Sequence, residues 1–205
     1  MGLLLLVRHG QASFGADDYD QLSDLGRRQA RRLGERLAGQ GVARVVSGGM
    51  TRQRDTADEL GLGLPVQQDP RLDEYDHVSL LESFAAAGFG VDGHPQDVLD
   101  RALAWWAQGG EGEHERHQDF LDRVQHAVGE LTALPGVTVA VTSGGVIATV
   151  CERWLRMPPG SWPILARVIV NASVTKVATG RSGTWLLTLN DHAHVEEDRS
   201  LLTYR

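Results

Sequence analysis

The chain has 205 residues, a hydrophobic fraction of 41%, a charged fraction of 23% and a formal charge of -7. That is enough apolar material for a real core, and it excludes a disordered chain. No uninterrupted apolar stretch approaches the ~20 residues needed to cross a bilayer. The Leu3–Val7 run is broken at once by Arg8 and His9 and has no basic segment before it, so it does not read as a signal sequence. These features predict a cytoplasmic protein without a membrane partner. The acidic balance (pI near 5.6) disfavours nucleic acid as a partner, which needs a surplus of Lys and Arg facing phosphates. The single cysteine, Cys151, rules out an internal disulfide framework and reads as a small buried side chain.

The predicted elements alternate. Leu3 to Val7 reads as a buried strand, followed by a polar loop from Gln11 to Gln21. Ser23 is a plausible N-cap for a helix to about Ala38, with Leu22, Gly26, Ala30, Leu33 and Leu37 along one face. Its arginines (Arg27, Arg28, Arg31, Arg32 and Arg36) read as a solvated surface. A strand at Val42–Val46, a Ser47-Gly48-Gly49 loop, a helix at about Thr51–Leu60 and a strand at Leu64–Gln67 come next. Helices are predicted at Ser79–Ala87, Pro95–Gln108 and about Glu115–Ala133. Then come a strand at Val137–Val141, a tight Ser143-Gly144-Gly145 loop and a helix at Val146–Arg156. Ser173–Ala178 and Thr184–Leu189 read as a hairpin with a turn longer than two residues. The alternation predicts an α/β fold, three-layered, with a mostly parallel central sheet between helices. Residues 1–205 are expected to form one domain, with about 73–112 inserted as a small helical lid.

Three strand ends carry glycine-containing polar loops, Arg8-His9-Gly10, Ser47-Gly48-Gly49 and Ser143-Gly144-Gly145. Glycine lets backbone approach an anion, and N–H groups at a following helix can point at it. With Arg8 in one loop and Arg52 just past another, the three together suggest a phosphate pocket.

Leu4-Leu5-Leu6-Val7-Arg8-His9-Gly10-Gln11, followed by Leu22-Ser23-Asp24-Leu25-Gly26-Arg27-Arg28-Gln29-Ala30, resembles the histidine phosphatase superfamily, also called phosphoglycerate-mutase-like. Ser47 to Ala57 is similar to its second arginine motif, Leu72-Asp73-Glu74 to the segment that carries the acid. The endings Asn171–Thr175 and Leu189–His194 are also similar. The resemblance implies that His9 attacks a phosphomonoester, that Arg8 and Arg52 hold the non-bridging oxygens, and that Glu74 protonates the leaving group. It implies a small phosphorylated substrate and, since arginines can supply the positive field, neither metal nor other cofactor.

One position departs from the family. Ser143 stands where members usually carry a second histidine, so with Gly144 it is assigned to phosphate binding without a positive charge. Weakened activity is expected from that change. Mutase-type phosphoryl transfer and a phosphate-binding regulatory protein are the alternatives. His77, just beyond Glu74, is a candidate to fill the gap, although an exposed loop histidine is the plainer reading. Asp73 and Asp76 compete with Glu74 for the acid role. His192 with His194, or His114 with His117, could suggest a metal pair, but no aspartates accompany them at ligand spacing. Phe84, Phe89, Trp105 and Trp106 would form either an apolar wall or lid core. Asn171-Ala172-Ser173 is a formal glycosylation sequon with nothing else to support it. Oligomeric state is not legible.

Overall fold

The computed structural model describes residues 1–13 and 20–204. The chain runs β1 (Gly2–Arg8), α1 (Asp24–Leu37), β2 (Val42–Ser47), α2 (Thr51–Glu59), β3 (Val66–Gln68) and a 3₁₀ turn (Pro70–Leu72). It continues with α3 (His77–Ala86), α4 (Pro95–Ala107), α5 (His117–Ala133), β4 (Gly136–Thr142), α6 (Gly144–Trp154) and α7 (Trp162–Ala166). β5 (Val174–Gly180), β6 (Gly183–Asp191), α8 (Ala193–Glu196) and a 3₁₀ turn (Arg199–Leu201) close it. The six strands form one sheet in the order β3-β2-β4-β1-β5-β6. β3, β2, β4 and β1 are parallel, and β5 and β6 add an antiparallel edge.

Both faces of the sheet are covered, which is why β1 reads as an unbroken apolar run. Strand alternation sends Leu4 and Leu6 to one face and Leu5 and Val7 to the other. The first pair joins Ala140, Val124, Val128 and Ile147 in a core under α5 and α6. The second joins Val139, Val141, Leu33, Leu37 and Ala57 under α1 and α2. From Gly26 to Leu37 the α1 stripe is buried as its spacing requires, and its arginines lie largely on the solvated surface, in ion pairs. Arg27 reaches Asp55 and Glu59 on α2, and Arg36 reaches Asp191. Such exposed pairs contribute little individually.

Several boundaries differ from the sequence reading. Gly144 and Gly145 are the first turn of α6, not a loop, because the preceding backbone at Ser143 is still extended. The hairpin turn is tight after all: Gly180 pairs with Gly183 across Arg181 and Ser182, and Gly183 supplies a φ of 119°. β3 begins two residues later than predicted, and α3 two residues earlier because Asp76 caps it, accepting from Val78 and Ser79 N–H. The short helices α7 and α8 carry no periodic signal of useful length. The middle of the Gln11–Gln21 loop lies outside the described residues. No described helix is long and apolar enough to cross a membrane.

Of the four expected lid aromatics, Phe84, Phe89 and Trp105 pack on one another, with Phe84 and Phe89 stacked at 4.7 Å. Trp106 faces another way in the same buried core, against Phe120 at 5.5 Å. Adjacent helical positions diverge by about 100°, which separates the two tryptophans.

Candidate active site

The carboxyl ends of β1, β2 and β4 converge, as the parallel sheet dictates. His9 follows β1 directly and is buried. Its backbone is fixed on both sides: His9 N–H donates to the Thr142 carbonyl at 2.8 Å, and Asn171 Nδ2 donates to the His9 carbonyl at 3.2 Å. Asn171 is therefore an internal support of this loop, which disposes of the sequon. Gly10 N–H donates to Thr56 Oγ1 at 3.0 Å, and a Cβ at Gly10 would sit 2.5 Å from the Gly26 carbonyl oxygen. Only glycine fits between β1 and α1 there.

The imidazole has a defined polarity. Nδ1 lies 2.7 Å from the Gly10 carbonyl, an acceptor only, so Nδ1 carries the hydrogen. That leaves the lone pair on Nε2, toward which Arg52 Nε points at 3.2 Å. Burial, then the charges of Arg52 and Arg8, hold the His9 pKa well below the ordinary value of 6.5. Both effects favour the neutral imidazole, whose Nε2 lone pair faces Arg52.

Arg52 lies in the first turn of α2 and is buried. Its Nη1 pairs with Asp20 Oδ1 at 2.7 Å, and its Nη2 meets the Met50 sulfur at 3.1 Å. Arg54, by contrast, is a partly exposed neighbour that donates to Thr51 Oγ1. Arg8 anchors one terminal nitrogen on the Ile169 and Tyr204 carbonyls. A Cβ on Gly144 would lie 3.5 Å from Arg8 Nε, so the start of α6 passes directly over that guanidinium.

The three candidate carboxylates separate cleanly. Asp73 Oδ1 accepts from Gly49 N–H at 2.5 Å, holding the loop before α2, and Asp76 caps α3. Only Glu74 enters the site. Its Oε2 accepts from Gly145 N–H, at the N-terminus of α6, at 2.8 Å. Burial raises its pKa above the usual carboxylate value, against the pull of Gly145 N–H, Arg52 and Arg8. Tyr75 locks the next position, with its ring 5.5 Å from Trp106, 5.6 Å from Trp162 and 6.0 Å from Phe120.

Ser143 is buried at the end of β4, and its Oγ accepts from Gln53 Nε2 at 2.8 Å. Gln53 also reaches the Leu72 carbonyl at 3.3 Å, so one side chain ties α2 to the segment bearing Glu74. His77 is partly buried at the start of α3. Burial lowers its pKa, Asp76 opposes this, and the Arg52 charge lowers it further.

His192 Nδ1 contacts the Asn190 carbonyl at 2.6 Å, while His114 and His117 border Trp106. Among the described residues no group of three or more His, Cys, Asp or Glu could hold a metal ion. Cys151 is buried in the core, which pushes its pKa up to about 12. Sequence reasoning did not single out Asp20 or Gln53, and it met Thr56 and Asn171 only inside segments similar to the family, without a supporting role. The signal available for Gln53 and Thr56 was their position on α2, next to Arg52 and one turn beyond it.

Comparison with known proteins shows the family to which the chain belongs. The family model of the histidine phosphatase superfamily, branch 1, matches residues 4–192. Glucosyl-3-phosphoglycerate phosphatase of Mycobacterium tuberculosis strain H37Rv is 32% identical over 200 residues, covering 89% of this chain and 86% of the relative. The enzyme of the same name from Mycolicibacterium vanbaalenii is 32% identical over 193 residues, covering 85% and 83%. The solved complex of mycobacterial glucosyl-3-phosphoglycerate phosphatase with inorganic phosphate superposes with a TM-score of 0.68 at 28% identity. That match covers 95% of this chain and 99% of the other. Bacillus stearothermophilus YhfR shares the fold, with a TM-score of 0.74 at 23% identity over 96% and 100% of the two chains.

Proposed function

The chain belongs to branch 1 of the histidine phosphatase superfamily, and from that premise we propose a phosphomonoesterase working through a phosphohistidine on His9. The observation that carries this reading is the Nδ1-protonated, neutral imidazole whose Nε2 faces Arg52. A substrate phosphoryl group enters between His9, Arg52 and Arg8, with the Ser143 hydroxyl and the start of α6 at Gly144 completing the cradle. His9 Nε2 attacks phosphorus in line, the P–O ester bond breaks, and protonated Glu74 gives its proton to the departing alkoxide. Water then attacks the phosphohistidine, Glu74 takes its proton, and the P–N bond breaks to release phosphate. The arginines supply the field that a metal ion would otherwise provide. Residues 73–112 act as a lid within a single domain.

The substrate is a small phosphorylated metabolite. The relatives named for glucosyl-3-phosphoglycerate make a glycosylated phosphoglycerate the first compound to assay, and favour hydrolysis over the return of the phosphoryl group that a mutase requires. The test is hydrolysis of an aryl phosphate in excess chelator by wild type and His9→Ala. Activity that survives chelation and disappears in the variant supports the reading; equal activity in both overturns it.

A second reading, a phosphate-ligand-binding protein of weak turnover, rests on Ser143. Its hydroxyl can hydrogen-bond a phosphoryl oxygen but carries no charge, and loss of a charge-stabilising donor costs about a hundred- to thousand-fold in rate. Ser143→His separates the two: a large gain in turnover shows that the rest of the machinery is competent.

A further inference from the structure

Asp20 lies just outside the residues already assigned to the reaction, yet its carboxylate makes two contacts with the phosphate-side machinery. Oδ1 accepts from Arg52 Nη1 at 2.7 Å, and Oδ2 accepts from Thr51 N–H at 2.8 Å. Thr51 is the first residue of α2, where N–H groups have no partner within the helix. Met50, at the N-cap position, has no side-chain oxygen to satisfy them. Asp20 thus bridges the orphan end of α2 and the guanidinium that the same helix carries.

The corner of Arg52 that Asp20 takes is decisive. A guanidinium presents Nε–H and Nη2–H along one edge, with Nη1 at the far corner, and the Nε–Nη2 edge matches two oxygens of a phosphoryl group side-on. In this structure Nε points at His9 Nε2 and Nη2 meets the Met50 thioether, a weak acceptor that a phosphoryl oxygen readily replaces. Asp20 holds Nη1 and leaves that edge turned toward the nucleophile.

We infer that Asp20 is a positioning residue, holding the Arg52 guanidinium in the plane that presents its Nε–Nη2 edge beside His9 Nε2. The inference rests on the proposed role of Arg52 in binding the phosphoryl group. It runs against simple electrostatics, since a carboxylate near a phosphate site repels a dianion. Removing that charge would therefore tighten phosphate binding if Asp20 only competed for Arg52, and weaken it if Asp20 positions the arginine.

The test uses Asp20→Asn and Asp20→Ala in the full chain, with an aryl phosphate as substrate and inorganic phosphate as competitive inhibitor. The expected result is a fall of about tenfold to a hundredfold in kcat/KM with a raised inhibition constant for phosphate, of the size of one charge-assisted hydrogen bond. Asp20→Asn keeps an oxygen for Thr51 N–H, so a loss of helix capping alone would spare it and affect only Asp20→Ala. In an Arg52→Ala background, Asp20→Asn changes neither constant further, because there is no guanidinium left to hold. Unchanged or tighter phosphate inhibition in Asp20→Asn overturns the inference, as does a full additive loss in the Arg52→Ala background. Failure of the underlying reading looks different: His9→Ala and Arg52→Ala would then match wild type.

Discussion

Arg52 Nε and His9 Nε2 face each other at 3.2 Å, one buried donor and one buried lone pair. The pair forms because β1 and the first turn of α2 end at the same edge of the sheet, and because Gly10 takes the proton-bearing Nδ1 on its carbonyl. Replacing Arg52 by Lys keeps a charge and loses the planar two-donor edge. The expected outcome is a loss of about a hundred- to thousand-fold in kcat/KM, measured on any phosphomonoester the protein hydrolyses.

Glu74 acts on the leaving group in the proposed mechanism, so its importance depends on that group's basicity. Glu74→Gln is expected to lower kcat/KM, which reports the phosphorylation step, by about a hundred- to ten-thousand-fold on an alkyl phosphate. On an aryl phosphate with a good leaving group, the loss in the first step shrinks. A ratio of the two losses near one contradicts the assignment.

Gly145 has no room for a side chain. A Cβ there would lie 2.3 Å from Glu74 Oε1 and 2.9 Å from its Cδ. Gly145→Ala must push the carboxylate aside and is expected to copy the leaving-group signature of Glu74→Gln, with far-ultraviolet circular dichroism unchanged. Wild-type turnover in this variant contradicts the position given to Glu74.

His9 is held neutral well below pH 6.5, and this has two consequences of defined sign. The acid limb of kcat/KM belonging to His9 falls well below pH 6.5, not at it. For stability, the unfolded chain binds a proton at His9 that the folded chain refuses. The contribution is therefore complete above pH 6.5 and is lost as pH falls through the folded value. His9→Asn is expected to flatten the decline of folding stability over that acid window, as read by urea unfolding at a series of pH values. A decline parallel to wild type contradicts the buried neutral imidazole.

The layered fold was legible because its signals are periodic. Gly26, Ala30, Leu33 and Leu37 recur at helical spacing, and Leu3 to Val7 is an apolar run too short for a helix and bounded by glycines. Arg8, His9, Arg52 and Glu74 were legible through motif order, and the structure brings them together. What stayed hidden was the support around them. Gln53, Thr56 and Asn171 are polar residues that look solvated in a linear reading, and only the fold reveals that each is buried with a backbone partner. The α6 start was misread because two glycines usually signal a turn. Here they are helical: Gly145 leaves space for the Glu74 carboxylate, and Gly144 lies against Arg8. Asp73 and Glu74 are adjacent and chemically alike, so their separation into loop brace and site carboxylate needed coordinates.

The central claim is a covalent phosphoryl group on His9, and trapping it is the most direct measurement. Wild type and His9→Ala are mixed with a phosphomonoester labelled at phosphorus, quenched in alkali within the first turnover, digested and mapped. The account predicts a base-stable, acid-labile label on the peptide containing His9 in wild type and none in the variant. Turnover of the labelled substrate without any such adduct, or equal labelling of His9→Ala, would contradict it.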